Sequence, residues 1–209
     1  MALDDTLNAI FDADRAARDA EDDLLGEDPG AVADLLAGAV QDALRQADPA
    51  ESELRLRRLA DLCAQVPGPK VADALLAILD HPEPAIRTEA GEALLDVAFE
   101  RFKEVARAVE RALDRGHEGP SMQELPFVLT EVRDPDPVPL VARFLAHPQP
   151  EVVAAAIEAL AAYGDPAAAR HLEPLLDDAR EATLDDLDEA PTRIGELAEA
   201  ALEELGIEA

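Results

Sequence analysis

The sequence contains two copies of one pattern. Leu79-Asp80-His81-Pro82-Glu83-Pro84-Ala85-Ile86 leads into an Ala-rich amphipathic run ending near Leu95. Leu145-Ala146-His147-Pro148-Gln149-Pro150-Glu151-Val152 leads into another ending near Tyr163. Equivalent positions such as His81 and His147 lie 66 residues apart, too far for one helical hairpin and right for two. A recurrence of this kind marks a repeat array, in which each unit buries its apolar face on its neighbours. The pattern therefore constrains architecture strongly. It points to a binding scaffold without naming what is bound.

The packing material agrees. Aromatic residues make up 3% of the chain and Trp is absent, so Leu, Ala, Val and Ile must build the core. Small side chains let stacked helices approach closely, which suits an all-α fold. Four landmarks mark turns from the first to the second helix of a unit: Pro67-Gly68-Pro69, the stretch near Val97-Ala98-Phe99, Asp134-Pro135 and Asp165-Pro166. Pro is tolerated just inside a helix start because its missing N–H would lack a partner there, and a preceding Asp can cap the helix. Each landmark frames an apolar stripe with three-and-four spacing. First helices carry Ile86, Ala90, Ala93 and Leu94, then Val152, Ala156, Ala159 and Leu160, then Ile194, Ala198, Ala201 and Leu202. Pro126 and Pro174 fall inside apparent helices and should kink them or shift their starts.

These segments resemble HEAT repeats of the short bacterial kind related to the phycobilisome-lyase repeat. The resemblance is carried by Pro84-Ala85-Ile86-Arg87-Thr88-Glu89-Ala90-Gly91-Glu92-Ala93-Leu94, and by 150–160 running on to Tyr163-Gly164-Asp165-Pro166. It spans about residues 50 to 206. Tetratricopeptide and ankyrin signatures are absent. The resemblance implies a right-handed α-α superhelix of about four helix pairs, residues 31–209, with an acidic inter-helix loop at 177–190. It also implies an interaction scaffold, with a lyase-like or chaperone-like role in modifying another protein as the alternative. Arg87 keeps the arginine of the family's valine-arginine pair, whereas the later copy has Val153. If that arginine bridges repeats, the later junction should lack the link.

Residues 1–30 differ from the rest. Leu3, Leu7, Ile10 and Phe11 form an apolar stripe on a strongly acidic segment that ends at a Gly26–Gly30 breaker. Two readings stand. The segment is a helical cap over the first repeat, or it is an arm that docks its stripe on a partner.

Charge narrows the partners. A net charge of −29 disfavours nucleic acid, whose binding relies on Lys and Arg releasing counterions, and disfavours anionic membranes. A HEAT-like DNA glycosylase would need a basic groove. A charge-driven partner should be a basic protein, one version being a toxin or nuclease held by an acidic inhibitor. The competing reading is that acidity confers solubility or salt tolerance. The predominance of Arg over Lys fits either a high-GC bacterial genome or a salt-adapted proteome. The acidic N-terminus does not read as a signal peptide, and no apolar run approaches the ~18 residues of a membrane span, so a soluble cytoplasmic protein is expected. The lone Cys63 forms no intramolecular disulfide and reads as a small core residue.

Catalytic patterns are missing. No metal-binding His or Cys spacing, phosphate loop or nucleophile elbow occurs. The acidic run at 185–189 lacks the alternation and central Gly of a calcium loop. No catalytic, cofactor or metal residue is therefore assigned, and the protein is read as a non-enzyme. His81 and His147 are expected to be turn residues. One basic strip interrupts the acidity: Arg101, Lys103, Arg107 and Arg111, with Glu100, Glu104 and Glu110 interleaved. Glu100–Lys103 and Glu104–Arg107 pairs would make it a solvated face. Left free, it would be a carboxylate-binding strip in the groove lined by second helices. Arg101, Lys103, Arg107 and Arg111, with Leu3, Leu7 and Phe11, are the candidate protein-binding residues.

Overall fold

The computed structural model describes residues 3–183 and 191–207. Its helices are α1 (Leu3–Leu25), α2 (Pro29–Leu44), α3 (Pro49–Gln65), α4 (Pro69–Leu79), α5 (Pro84–Asp114), α6 (Ser121–Thr130), α7 (Val138–Val141), α8 (Pro150–Tyr163), α9 (Ala169–Leu172) and α10 (Ile194–Glu204). Short 3-10 turns extend α7 and flank α9, and Glu181–Ala182 pairs with Thr192–Arg193 as a two-residue antiparallel ribbon. The fold is an all-α repeat stack.

Helix starts follow local chemistry. Proline opens α2, α3, α4, α5 and α8. Before α2 and α3, and before the 3-10 turn at Pro166, an aspartate completes the start. Asp28, Asp48 and Asp165 each accept a backbone N–H, from Ala31, Ala50 and Ala167 at 3.0, 3.0 and 2.8 Å. At the end of α8, Gly164 takes φ +75°, a left-handed cap that a side chain would strain.

First helices stack in one layer, in the order α3, the first half of α5, α6, α8 and α10. Opposite them lie α2, α4, the second half of α5 and α7. Between the layers runs one apolar cluster, from Val32 and Leu36 through Leu56, Leu75, Leu94, Val109, Leu129, Phe144 and Leu160 to Ile194 and Leu202. Its first-helix members are the stripes expected from the repeat spacing.

The structure departs from expectation in three places. No turn forms near Val97-Ala98-Phe99. Instead α5 continues for 31 residues, bending at Arg101 (φ −138°, ψ 46°). Unlike the other three landmarks, this one has no Pro or Gly to end a helix, so the chain changes direction while staying largely helical. Second, the last two units have stunted second helices. Pro137 and Pro139 crowd the start of α7, and Pro174 hands the end of α9 to a 3-10 turn.

Third, the later junction does have its arginine link. Arg87 donates to the carbonyls of His81 (3.1 Å) and Pro82 (3.0 Å) and to Glu124 (2.7 Å). At the second copy Val153 is buried, but Arg180 donates to the carbonyls of His147 (2.8 Å) and Pro148 (3.5 Å). Arg180 is held by two-nitrogen contact with Asp178. The acidic loop thus begins with a structural clamp. Its Asp185–Glu189 run lies outside the described residues.

Candidate functional site

The basic strip on α5 is divided by the kink and by neighbouring repeats. Arg101 is one-fifth exposed and donates to the Ala64 carbonyl of α3 at 2.6 Å. Arg111 pairs with Asp73 of α4 at 2.8 Å. Glu104, expected to pair with Arg107, accepts the Gly68 N–H at 2.8 Å and faces Arg101 instead. Glu100 pairs with Arg101 rather than Lys103. Lys103 and Arg107 are exposed one turn apart, and among the described residues neither has an ion-pair partner within 4.0 Å. Four candidates therefore resolve into two repeat staples and two free cations.

The second candidate set sits at the other end of the chain. Leu3, Leu7 and Phe11 are 89%, 50% and 49% exposed on α1, and α1 buries no residue. Its last turns alone reach the body. Leu24 and Leu25 pack on the core, and Glu21 accepts from Gln65 at 2.7 Å and pairs with Arg58, both on α3. The Gln65 amide, reinforced by the Arg58 charge, holds the Glu21 carboxyl below its ordinary value.

The first-helix face was not singled out by the sequence, and it carries consecutive grooves. Between α3 and α5 a groove of about 550 Å³ is lined by Asp61, Gln65, Glu89, Glu92 and Asp96 over Ala64 and Ala93. Glu89 meets Arg57 at 3.2 Å and Asp61 meets Arg58 at 3.7 Å. Glu92 and Asp96 have no ion-pair partner within 4.0 Å among the described residues. On the same stripe, one turn on, Phe99 is 60% exposed. Around α6 and α8 a cleft of about 480 Å³ brings Phe127 beside Glu124, Glu151 and Glu158, with Arg87 held by Glu124. Between α8 and α10 a groove of about 460 Å³ has an apolar floor of Ile157, Ala161, Leu197 and Ala201 between Glu158 and Glu204. The signal in the sequence was the Glu89, Glu92, Asp96 spacing, which puts three carboxylates on one helix face.

The histidines have local work. Nδ1 of His81 and of His147 accepts the N–H two residues on, from Glu83 at 3.1 Å and Gln149 at 3.2 Å. Nε2 of buried His147 lies 2.9 Å from the His117 carbonyl, and His117 Nε2 lies 2.6 Å from Asp80. Burial pushes the Cys63 thiol up to about 12. Among the described residues no cluster of three or more His, Cys, Asp or Glu is placed to hold a metal ion, and no helix is long and apolar enough to cross a membrane.

Residues 123–186 match the family model described as HEAT repeats. Over that stretch the chain carries HEAT repeats. The matched HEAT segment takes in most of α6 and all of α7, α8 and α9, and the sequence equivalence of 79–95 with 145–163 relates α5 to it. One solved structure to which the chain is similar is the crystal structure of an engineered protein, 19% identical, covering 92% of this chain and 89% of that one at a TM-score of 0.36. No curated protein matches the chain.

Proposed function

We propose that this protein is a non-catalytic interaction scaffold whose first-helix face holds a basic segment of another protein. HEAT repeats as a class serve protein–protein interaction, and an extended array offers a long surface to a partner chain. The observation that carries the reading is the α3–α5 groove. Its floor of Ala64 and Ala93 is rimmed by carboxylates, two of which lack an ion-pair partner among the described residues, and Phe99 is exposed one turn on along the same helix face. Aromatic anchors beside a charged rim are where binding energy concentrates. The net charge of −29 adds a long-range field that attracts a basic partner and speeds encounter. Lys103 and Arg107 lie on the other layer, where they suit a carboxylate of the same partner.

The test is a pull-down from the source organism with the full chain and with the Glu92→Lys/Asp96→Lys variant, at about 50 mM and about 500 mM salt. The expected partner is basic, retained at low salt, weakened at high salt and lost with the variant. An acidic or neutral partner, retained equally by both proteins at both salt levels, would overturn the reading.

A further inference from the structure

The feature of the molecule least explained by folding is the N-terminal two-thirds of α1. A helix of 23 residues is about 35 Å long, and this one meets the body through Glu21, Leu24 and Leu25. Leu3, Leu7, Ile10 and Phe11 therefore stand 49–89% exposed on a projecting arm. Helical spacing puts them on the face that also carries Asp14, Arg18, Glu21 and Leu25, so one exposed ion pair separates the apolar strip from the turns that meet the body. A contiguous apolar strip of this size on an otherwise acidic surface marks an interaction site.

The flanks choose the occupant. One side of the stripe is acidic, with Asp4, Asp19 and Asp22, and the other is small, with Ala9, Ala13, Ala16 and Ala20. Across α1 eight carboxylates face two arginines, both engaged by Asp12 and Asp14. A second copy of α1 would bring two such acidic rows together, and like charges in apposition oppose pairing. An amphipathic helix with leucine-type residues on one face and Lys or Arg beside them fits both flanks, since the alanine side allows close helix approach. We infer that α1 is a docking arm for a basic amphipathic helix of a partner protein, seated on Leu3, Leu7, Ile10 and Phe11. The inference rests on the proposed scaffold role and adds a second contact, separate from the α3–α5 groove.

The test uses the full chain and a labelled Leu/Lys amphipathic peptide of about five helical turns, roughly 18 residues, with a Leu/Glu peptide of the same pattern as control. The measurement is binding by fluorescence anisotropy at physiological ionic strength. The Leu7→Asp/Phe11→Asp variant replaces exposed side chains, so its thermal melt should match the parent. It also adds two negative charges, so attraction by charge alone would strengthen. Docking on the stripe predicts the reverse: Leu/Lys peptide binding at least about tenfold weaker, with no Leu/Glu binding to either protein. Absent Leu/Lys binding, or binding that the variant leaves unchanged or tightens, would overturn the arm. So would concentration-dependent dimerisation in the ultracentrifuge that Leu7→Asp/Phe11→Asp abolishes, because the occupant would then be a second copy. Glu92→Lys/Asp96→Lys separates the two proposals. Peptide binding lost there but kept in the α1 variant would support the groove and reject the arm.

Discussion

Arg180 and Asp178 show how one side chain can replace another at an equivalent joint. Both Arg87 and Arg180 hold the two carbonyls of a His-Pro turn, yet one comes from the following helix and the other from 33 residues downstream. The Val153 that ended the sequence pattern is a core residue, and the guanidinium arrives from a loop that periodicity could not place. Arg180→Met should keep the aliphatic stem and lose the clamp, at about 1.5 kcal/mol, the low end for hydrogen bonds to a charged group because the guanidinium is over a third exposed, measured by urea unfolding. The same pair sets a pH dependence. Hydrogen bonds from Arg180 hold the Asp178 carboxyl below its ordinary 3.8. A carboxylate depressed by folding contributes stability that is present above its unfolded value and is lost as pH falls through the lower folded one. Wild type should therefore exceed Asp178→Asn in stability at pH 5 to 7, with the gap closing below about pH 3.8. A gap that persisted at low pH would show that the carboxylate charge is not what matters. Cys63, raised to about 12 by burial, should resist thiol reagents at pH 8 until the chain unfolds.

At the scale of elements, α1 and the first-helix stripes make opposite predictions. Among the described residues, deleting 1–18 removes no buried side chain and leaves Glu21 in place, so the melting temperature of the remainder should not fall. Leu160→Ala, in the shared core of α8, should cost about 2–5 kcal/mol through lost burial and a residual cavity. Calorimetry on both variants checks the contrast. A large drop on deletion would mean that α1 covers apolar surface and acts as a cap. The repeat helices were legible in the sequence because Ile86, Ala90 and Leu94, like Val152, Ala156 and Leu160, repeat the same core contacts. Pro after a capping Asp located the start at Pro166, but at Asp134-Pro135 the helix begins only at Val138. Two things were not legible. Where no breaker stood, as at Val97 to Arg101, spacing could not tell a turn from a bend. Nor could i,i+4 arithmetic see Ala64, Pro69 or Asp73, which draw Arg101 and Arg111 out of the basic strip. Local pairing rules lose to contacts between repeats because such contacts also satisfy backbone carbonyls, which an exposed carboxylate on the same helix does not. The groove carboxylates were visible as residues but not as a site, since a groove exists only once α3 and α5 lie side by side.

For the molecule as a whole, the decisive quantity is the excess of acid. With 47 carboxylate residues and 18 Lys and Arg, pairing every base with one acid would still leave 29 acids without a base. Many ion pairs do form, and several are more than half exposed on both sides, as at Arg45–Asp42, Lys70–Asp34 and Arg193–Glu196. Exposed pairs contribute about 0–1 kcal/mol each, and salt weakens them. The surplus acids repel one another across the surface, and salt weakens that too. Because repulsion involves the larger and longer-ranged set, screening should help the folded state more than it harms it. The Debye length falls from about 10 Å at 0.1 M to about 3 Å at 1 M, so residual repulsion between neighbouring helices should be largely removed over that range. The melting temperature should therefore rise steadily with sodium chloride from about 0.02 M to 1 M. A flat or falling curve would mean that the ion-pair staples outweigh the surplus. The shape of the rise separates the two origins of the acidity. If the protein is folded and cooperative at about 0.02 M salt, the charge is available to attract a partner. If it needs about molar salt to fold, the acid surface is an adaptation to a saline interior, and the electrostatic part of the scaffold proposal falls while the apolar stripe of α1 remains.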